Sequence, residues 1–238
     1  MSQFKIQIAI PIRKDSSRLP NKFMQLIGDK PLIQHVYDNA KKTGFPVTVI
    51  VDDPEFKKLL PDCVVNVFNH NVANGTDRVA GWAKAEFGGA DDDIIVNCQG
   101  DLPFIDPNQI VAAALATQFG DVSTLVSDLD PYKQKDPNTV KAIGTGRDWS
   151  GGTLDMHWFL RAPLAYGYHH IGVYAFKRKT LVQYRDLKAD RHEDIERLEQ
   201  LRWLANGFKI TAVKTSQIPV EVNTPEDLDA AREYYEGR

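Results

Sequence analysis

The chain opens with a short apolar run, IQIAIPI at residues 6–12, which is rich in β-branched side chains. A run of this kind is typical of a strand that is covered on both faces. Residues 31–42 follow with apolar side chains at helical spacing, and residues 47–51 (VTVIV) form a second apolar run. Alternation of strand and helix at this spacing predicts an α/β fold with a parallel sheet.

The same alternation continues through the first half of the chain. Residues 64–68 and 94–98 predict a third and a fourth strand, a helix over 76–87 lies between them, and another helix runs from 107 to about 116 after the capping residue Asp106. In sheets of this type, ligands bind beyond the carboxyl ends of the strands. We therefore expect the chemistry in the loops that follow the first, third and fourth strands.

The second half of the chain is less regular. Its predicted elements are strands at 122–126, 170–176 and 209–213 and helices at 191–205 and 224–235. The glycine-rich stretch 144–152 predicts a protruding loop. Since no Pro-, Gly- or Ser-rich linker and no internal repeat divides the sequence, we expect one domain over residues 1–238, with a smaller lobe from about 121 to 177.

Composition and charge exclude several classes of protein. The chain has 238 residues with 29 basic and 32 acidic side chains, and a net charge of −3 does not favour nucleic acid as a partner. Cys63 and Cys98 are too few for a disulfide scaffold and do not have the spacing of metal ligands. No apolar run reaches the ~20 residues that span a bilayer, and the N-terminus does not resemble a signal peptide. We expect a cytoplasmic protein without membrane insertion.

The loop after the first strand is strongly basic. Residues 13–22 (RKDSSRLPNK) contain four cations and two hydroxyls. Cations and hydroxyls at the carboxyl end of a strand suit a polyphosphate ligand, and the alternative is a solvated charged loop. The loop has neither the GxGxxG pattern of a dinucleotide fold nor the GxxxxGK[ST] pattern of a P-loop.

Two further motifs lie where the fold predicts a site. In Asn74-Gly75-Thr76, the glycine lets a ligand approach the backbone and the threonine can cap the next helix, although a capped helix start needs no ligand. In Gln99-Gly100-Asp101, a carboxylate follows a buried strand and could hold Mg²⁺ beside phosphates. The alternative is an aspartate that caps the following turn.

Six motifs together resemble one family. RxxSSRLPxK (13–22), GTDR (75–78), QGD (99–101), HHIGVY (169–174), IERLEQLR (195–202) and VNTPEDL (222–228) occur in the order and at roughly the spacing found in the CMP-Kdo synthetases, the 3-deoxy-manno-octulosonate cytidylyltransferases. The resemblance covers nearly the whole chain. It implies a Rossmann-like, mostly parallel sheet of the sugar nucleotidyltransferase type with a smaller inserted lobe.

The resemblance also implies roles for the nucleotide side of the site. The first loop would wrap the phosphates of CTP, with Arg13 and Lys22 as the catalytic cations. Asp101 would act with them by holding Mg²⁺, and Asn223 would occupy the position of the second metal ligand. The nucleotide-binding residues would be Arg13, Ser17, Lys22, Gly75, Thr76 and Gln99.

On the acceptor side, the resemblance implies a pocket for a sugar acid. Its residues would be Arg78, Arg161, His170, Glu196 and Gln200. The spacing of Glu196 and Gln200 independently predicts that the two share one helix face.

The chain departs from the family pattern beside these sites. Leu102 stands where the family usually has Glu, and Asn223 stands where it has Asp, so two carboxylates are missing. An asparagine can offer Mg²⁺ one neutral oxygen, which binds more weakly than a carboxylate. Other departures are Val72, Ala73 and Leu160. These changes predict a different sugar, a weaker metal site or a loss of activity.

The expected reaction is transfer of CMP from CTP to a 3-deoxy-ulosonic acid with release of pyrophosphate. The anomeric hydroxyl of the sugar acid is the nucleophile, so catalysis needs positioning and charge neutralisation rather than a side-chain nucleophile. The resemblance further implies a homodimer and a place in lipopolysaccharide biosynthesis.

Two alternatives remain open from the sequence. One is a nucleotidyltransferase for another acceptor, such as a different nonulosonic acid or a polyol phosphate. The other is a nucleotide-sugar-binding protein that has lost turnover, which the residues Leu102 and Asn223 would explain.

Overall fold

A computed structural model describes residues 4–16, 18–146 and 152–237, which fold around a nine-stranded sheet. The strand order is β5-β4-β1-β6-β10-β7-β11-β9-β8, and a two-stranded ribbon, β2-β3, lies apart from it. The strands are β1 (Ile6–Pro11), β2 (Leu26–Ile27), β3 (Lys30–Pro31), β4 (Val47–Val51), β5 (Val65–Val67), β6 (Ile94–Cys98), β7 (Val122–Asp128), β8 (Lys141–Gly146), β9 (Thr153–Leu160), β10 (Tyr168–Lys177) and β11 (Ile210–Lys214).

The first half of the sheet is parallel, as the sequence predicts. Strands β5, β4, β1 and β6 run side by side in one direction, and the predicted bounds of β4 and β6 are confirmed. All five residues of β6 are buried, which agrees with the three β-branched residues that begin it, Ile94, Ile95 and Val96. This half brings the loops after β1 and β6 to the same edge.

The second half makes the sheet mixed. Strand β10 enters antiparallel between β6 and β7, β11 is parallel to β7, and β9 and β8 close the edge in antiparallel order. The sequence did not predict β8 or β9. Residues 144–146 of the predicted glycine-rich loop belong to β8, and residues 147–151 lie outside the described residues.

Helices cover both faces of the sheet. They are α1 (Leu32–Lys41), α2 (Phe56–Leu59), α3 (Gly75–Ala85), α4 (Pro107–Ala116), α5 (Arg178–Leu181), α6 (Arg191–Glu196), α7 (Gln200–Ala205) and α8 (Pro225–Glu236). The predicted start of α8 is confirmed, because the Thr224 side chain caps it and Asp227 completes a capping box. One apolar cluster contains Ile8, Ile10 and Val96, and the other contains Ala9, Phe176 and Trp203.

The prediction of one continuous helix over 191–205 is wrong. Arg197 adopts a left-handed conformation, with φ 54° and ψ 47°, and ends α6 one turn before α7 begins. Residues of α6 and α7 are instead joined through side chains, since Arg202 donates two hydrogen bonds of 2.7 and 2.8 Å to Glu193. This break changes the neighbours of Glu196 and Gln200.

Residues 121–177, predicted as a smaller lobe, contribute β7 to β10 to the single large sheet. Their role as a separate lobe stays a prediction. In the part of the chain that the structure describes, no helix is both long enough and apolar enough to cross a bilayer.

Candidate active site

A cleft of about 690 Å³ opens at the carboxyl ends of β1 and β6. Its walls are the loop after β1, the start of α3, the early part of β10 and the α6–α7 region. It brings together most of the predicted site residues, namely Arg13, Lys22, Gly75, Arg78, Gln99, Asp101, Arg161, His170, Gln200 and Asn223. Ser17 lies outside the described residues.

The loop after β1 sends only some of its cations into the cleft. Arg13, Arg18 and Lys22 line it. Lys14 instead forms ion pairs of 2.8 Å with both Asp53 and Glu55 on the outer surface, and these hydrogen bonds raise its pKa. Three of the four cations can therefore meet a polyphosphate.

Lys22 connects Asp101 and Asn223 at one side of the cleft. The almost buried Nζ of Lys22 lies 2.8 Å from Oδ2 of Asp101 and donates to Oδ1 of Asn223 at 3.1 Å. Arg18 Nη2 donates to the same Asn223 oxygen at 3.3 Å. The backbone N–H of Val222 donates to the carbonyl of Asp101 at 2.9 Å, which joins the segment before α8 to the turn after β6.

Glycine is required at the turn that carries Asp101. A Cβ atom at Gly100 would lie 2.5 Å from Ile12 Cγ2 and 3.0 Å from the ring of Phe23. These contacts are too close, so a larger residue would displace the turn and with it the carboxylate. The QGD motif is thus explained by packing as well as by chemistry.

Glu221 is a second carboxylate in the cleft that sequence analysis missed. It lines the cleft and accepts a hydrogen bond from Nδ2 of Asn223. The carboxyl is open to the cleft but crowded by protein on its other sides. This partial loss of water, together with the negative charge of Asp101, raises the pKa of Glu221 to about 7.

The start of α3 forms the next wall. The Asn74 side chain caps the helix by accepting from the backbone N–H of Asp77 at 2.8 Å. At Gly75, a Cβ atom would lie 3.3 Å from Oε1 of Gln99, so the glycine keeps the helix start close to the loop after β6. A ligand in the cleft can therefore approach the backbone at this point.

Thr76 lies behind the cleft surface and is almost fully buried. Its hydroxyl donates to Oε1 of Glu199 at 2.8 Å and accepts from Nδ2 of Asn97 at 2.9 Å, while its backbone N–H donates to Oε2 of Glu199. Burial raises the pKa of Glu199, and the bonds from Thr76 partly oppose that shift. Thr76 thus holds Glu199 in the wall of the cleft.

The opposite wall contains charged residues, Arg161 and Glu193 among them, and several uncharged hydrogen-bonding groups. Nε2 of His170 lies 3.0 Å from Oγ1 of Thr124, and burial lowers the pKa of His170 to about 3, so the ring is uncharged at neutral pH. Tyr174 donates to Oε1 of Gln200 at 3.0 Å. Nε2 of Gln200 has no partner among the described residues, which leaves a buried donor beside the cleft.

Arg161 enters the cleft from the end of β9 on a fixed support. Its backbone N–H donates to Oε2 of Glu196 at 2.7 Å, and its Nε donates to the Glu196 carbonyl at 3.1 Å. Lys141 Nζ donates to the Arg161 carbonyl from below. Glu196 therefore positions Arg161, and it is not among the residues that line the cleft.

The prediction that Glu196 and Gln200 share a helix face is wrong. The left-handed Arg197 separates them, so that Glu196 ends α6 and Gln200 begins α7. The two side chains act on different partners, Arg161 and Tyr174. Arg78, the remaining predicted sugar residue, is held by the Phe68 carbonyl at 2.9 Å and by Asp52 at 3.3 Å.

Comparison with known proteins identifies the family of this chain. The sequence pattern that defines the family described as Cytidylyltransferase matches residues 8–210. The chain belongs to the cytidylyltransferase family. It is thus a nucleotidyltransferase by descent and by fold.

Curated relatives resemble this cytidylyltransferase over nearly its whole length. The 3-deoxy-manno-octulosonate cytidylyltransferase of Bartonella henselae is 35% identical over 237 residues, which cover 94% of this chain and 96% of the relative. The 8-amino-3,8-dideoxy-manno-octulosonate cytidylyltransferase of Shewanella pealeana is 37% identical over 242 residues, which cover 94% and 95%. A solved structure of CMP:2-keto-3-deoxy-manno-octonic acid synthetase complexed with CTP superposes with a TM-score of 0.87 at 30% identity and covers 98% of this chain and 99% of its own.

Several residues in the cleft of this cytidylyltransferase were not predicted from its sequence. Glu221, Glu199, Tyr174 and Arg18 lie in its walls. Arg18 belongs to the basic loop, so the charge count of that loop was a usable signal. Glu221 lies one residue before a predicted motif, and only the fold shows that it approaches Asp101.

Proposed function

We propose that this cytidylyltransferase transfers CMP from CTP to a 3-deoxy-manno-octulosonate or a close analogue and releases pyrophosphate. The observation that carries the proposal is the division of one cleft into two chemically different ends. Arg13, Arg18 and Lys22 provide positive charge at one end. The other end carries Arg161 and uncharged hydrogen-bonding groups beside the acidic residues of the α6–α7 region, and this mixture suits a polyhydroxylated acid.

The proposed chemistry is an in-line displacement at the α-phosphorus of CTP. The anomeric hydroxyl of the sugar acid forms the new O–P bond and loses its proton to water, while the bond from the α-phosphorus to pyrophosphate breaks. Negative charge grows on the leaving pyrophosphate. Arg13, Arg18 and Lys22 would stabilise this charge electrostatically, which is commonly the largest contribution to catalysis of this type.

The acceptor would bind against the wall formed by Arg161, His170 and Gln200. The guanidinium of Arg161 suits the carboxylate of a sugar acid, and the free Nε2 donor of Gln200 suits a hydroxyl. The uncharged ring of His170 can exchange hydrogen bonds with hydroxyls without attracting phosphate. Gly75 and Gln99, at the other side, would border the nucleotide.

A divalent metal ion, Mg²⁺ by preference, fits the Lys22 end of the cleft. Oxygens of Asp101 and Asn223 already flank a positive charge, the Lys22 ammonium, and hard oxygen donors are what Mg²⁺ requires. Among the described residues, no group of three or more His, Cys, Asp or Glu side chains forms a complete site. Asp101 and Asn223 would therefore hold the ion together with triphosphate oxygens and water, and the ion would neutralise phosphate charge.

We propose two sugar acids as the acceptor because the relatives are named for two different acids. The Shewanella pealeana relative is named for an 8-amino sugar, and its identity to this chain is as high as that of the 3-deoxy-manno-octulosonate enzymes. We therefore propose both acids as acceptors to be tested. A homodimer, a cytoplasmic location and a contribution to lipopolysaccharide precursors are further proposals that follow from the resemblance.

Pyrophosphate release tests the function directly. The protein is incubated with CTP, UTP, ATP or GTP, with Mg²⁺, and with each of the two sugar acids or a polyol phosphate. We expect release only with CTP and a sugar acid. Turnover with the polyol phosphate would show that the acceptor is a polyol phosphate rather than a sugar acid. If ATP or GTP binds tenfold more tightly than CTP, the nucleotide substrate is not CTP. Binding of CTP without turnover would identify a protein that has lost activity.

A further inference from the structure

Glu221 and Asn223 lie on either side of a buried residue and both face the cleft. Val222 between them is fully buried and is tied through its N–H to the Asp101 carbonyl. The two polar side chains are therefore held beside the turn that carries Asp101. Within residues 4–16, 18–146 and 152–237, Glu221 forms no ion pair and accepts one hydrogen bond, from Nδ2 of Asn223.

This hydrogen bond fixes the amide of Asn223. Since Nδ2 donates to Glu221, the opposite atom, Oδ1, points to the cations, where it accepts from Lys22 and Arg18. Asn223 thus contributes a neutral oxygen, and a neutral oxygen holds a divalent cation weakly. Glu221 is the acidic side chain of this segment that lines the cleft.

We propose that Glu221, together with Asp101, supplies the carboxylates that hold the divalent cation, so that Glu221 provides the charge that Asn223 lacks. The inference rests on the proposed function, because that function is what calls for a metal ion. It assigns the metal contact to a residue two positions before the expected one. Asn223 then orients Glu221 and contributes an oxygen.

Mn²⁺ binding to the full chain, measured by electron paramagnetic resonance without CTP or sugar acid, tests the assignment. We expect Glu221→Gln to weaken Mn²⁺ binding at least tenfold. Glu226→Gln is the matched control, because Glu226 is exposed in the first turn of α8, outside the cleft, and loses the same charge. Its affinity should stay within twofold of the wild type. Thermal unfolding of each variant confirms that it is folded.

Three further variants show whether Glu221 contacts the ion directly or acts on it only through its charge at a distance. Glu221→Cys should bind Mn²⁺ weakly and gain affinity for Cd²⁺, because a thiolate prefers the softer ion, whereas Glu226→Cys should not. The double variant Glu221→Gln/Asn223→Asp should recover Mn²⁺ binding to within about threefold of the wild type, because the carboxylate returns two positions later.

Three outcomes would overturn the assignment. They are equal Mn²⁺ affinities for Glu221→Gln and Glu226→Gln, no gain of Cd²⁺ affinity in Glu221→Cys, and no Mn²⁺ binding by the wild type at millimolar concentration. Pyrophosphate release is measured separately, so an inactive protein that binds Mn²⁺ through Glu221 would reject the proposed function and keep this assignment. An active protein whose Mn²⁺ affinity does not change in Glu221→Gln would keep the proposed function and reject this assignment.

Discussion

The Lys22 ammonium and the Asp101 carboxylate lie 2.8 Å apart although 79 positions of sequence separate them. Lys22 ends the loop after β1, and Asp101 follows β6, the parallel neighbour of β1. The ion pair therefore depends on the strand order rather than on local sequence. Because Asn223 accepts from the same ammonium, one cation connects three distant segments of the chain.

Lys22→Met should reduce activity strongly. Methionine is unbranched and one heavy atom shorter than lysine, so the substitution keeps most of the side chain but removes the charge that faces both Asp101 and the proposed phosphates. We expect kcat/KM for CTP to fall at least 100-fold, which is the usual cost of removing one preorganised stabilising group. Lys14→Met is the control, since Lys14 belongs to the same loop but pairs with Asp53 and Glu55 outside the cleft. Comparable losses in both variants would contradict the assignment of Lys22.

Asp101→Asn should abolish metal-dependent turnover while the protein stays folded. The contact of the turn with Val222 uses the Asp101 carbonyl, so it survives the change of side chain. We expect pyrophosphate release to fall more than 100-fold. Asp106→Asn removes the same charge at a nearby helix cap, where asparagine serves as well, and should leave the rate within about twofold. A rate for Asp101→Asn within threefold of the wild type would remove Asp101 from the metal site.

His170→Gln should reduce the amount by which the free energy of unfolding falls between pH 7 and pH 5. Burial, with added repulsion from His169 and Arg161, lowers the pKa of His170 from 6.5 to about 3. Between these values the unfolded chain binds a proton that the folded protein does not, so stability falls as the pH drops below about 6.5. The linkage is worth about 2 kcal/mol between pH 7 and pH 5.

Urea unfolding at pH 7 and pH 5 measures this linkage. His170→Gln keeps a hydrogen-bonding group near Thr124 and should lose about 2 kcal/mol less than the wild type over this interval. His157→Gln replaces an exposed histidine and controls for the loss of a titratable side chain. An identical pH response of His170→Gln and the wild type would show that the His170 ring takes up a proton in the fold.

The parts of the fold that sequence predicts well are locally determined. The bounds of β4, β6 and α4 follow from buried apolar runs and from the cap of Asp106 with Pro107, signals that lie within a few residues. The cleft follows from the same signals, because parallel strands bring their carboxyl ends together. The positions of Arg13, Asp101 and Gly75 at one edge of the sheet therefore follow from the amino-acid sequence alone.

The parts that sequence does not predict depend on distant contacts. Strand β8 contains Gly144 and Gly146 and lacks an apolar run, and its pairing with β9 gives it the strand conformation. Glu221 precedes α8 without any local pattern, and it lies at the cleft because the next residue, Val222, is buried in the core and bonded to Asp101. The break at Arg197 is of the same kind, because Glu193, Arg202 and Arg161 hold the two short helices in place.

Arg197→Gly tests whether residues 191–205 form two helices or one, because the two arrangements predict opposite changes in the free energy of unfolding. In a continuous helix, glycine would lower the free energy of unfolding by about 1 kcal/mol. At φ 54° a residue with a Cβ atom is strained by about 1–2 kcal/mol, and glycine relieves that strain at a smaller entropic cost. We expect the variant to be as stable as the wild type or up to about 1 kcal/mol more stable.

Chemical denaturation of the wild type, Arg197→Gly and Arg197→Ala gives the comparison. Alanine favours a continuous helix but tolerates the left-handed conformation poorly, so Arg197→Ala should be less stable than Arg197→Gly. The opposite order would mean that residues 191–205 form one helix. In that case Glu196 would leave the Arg161 backbone, and the support of the proposed carboxylate-binding guanidinium would have to come from elsewhere.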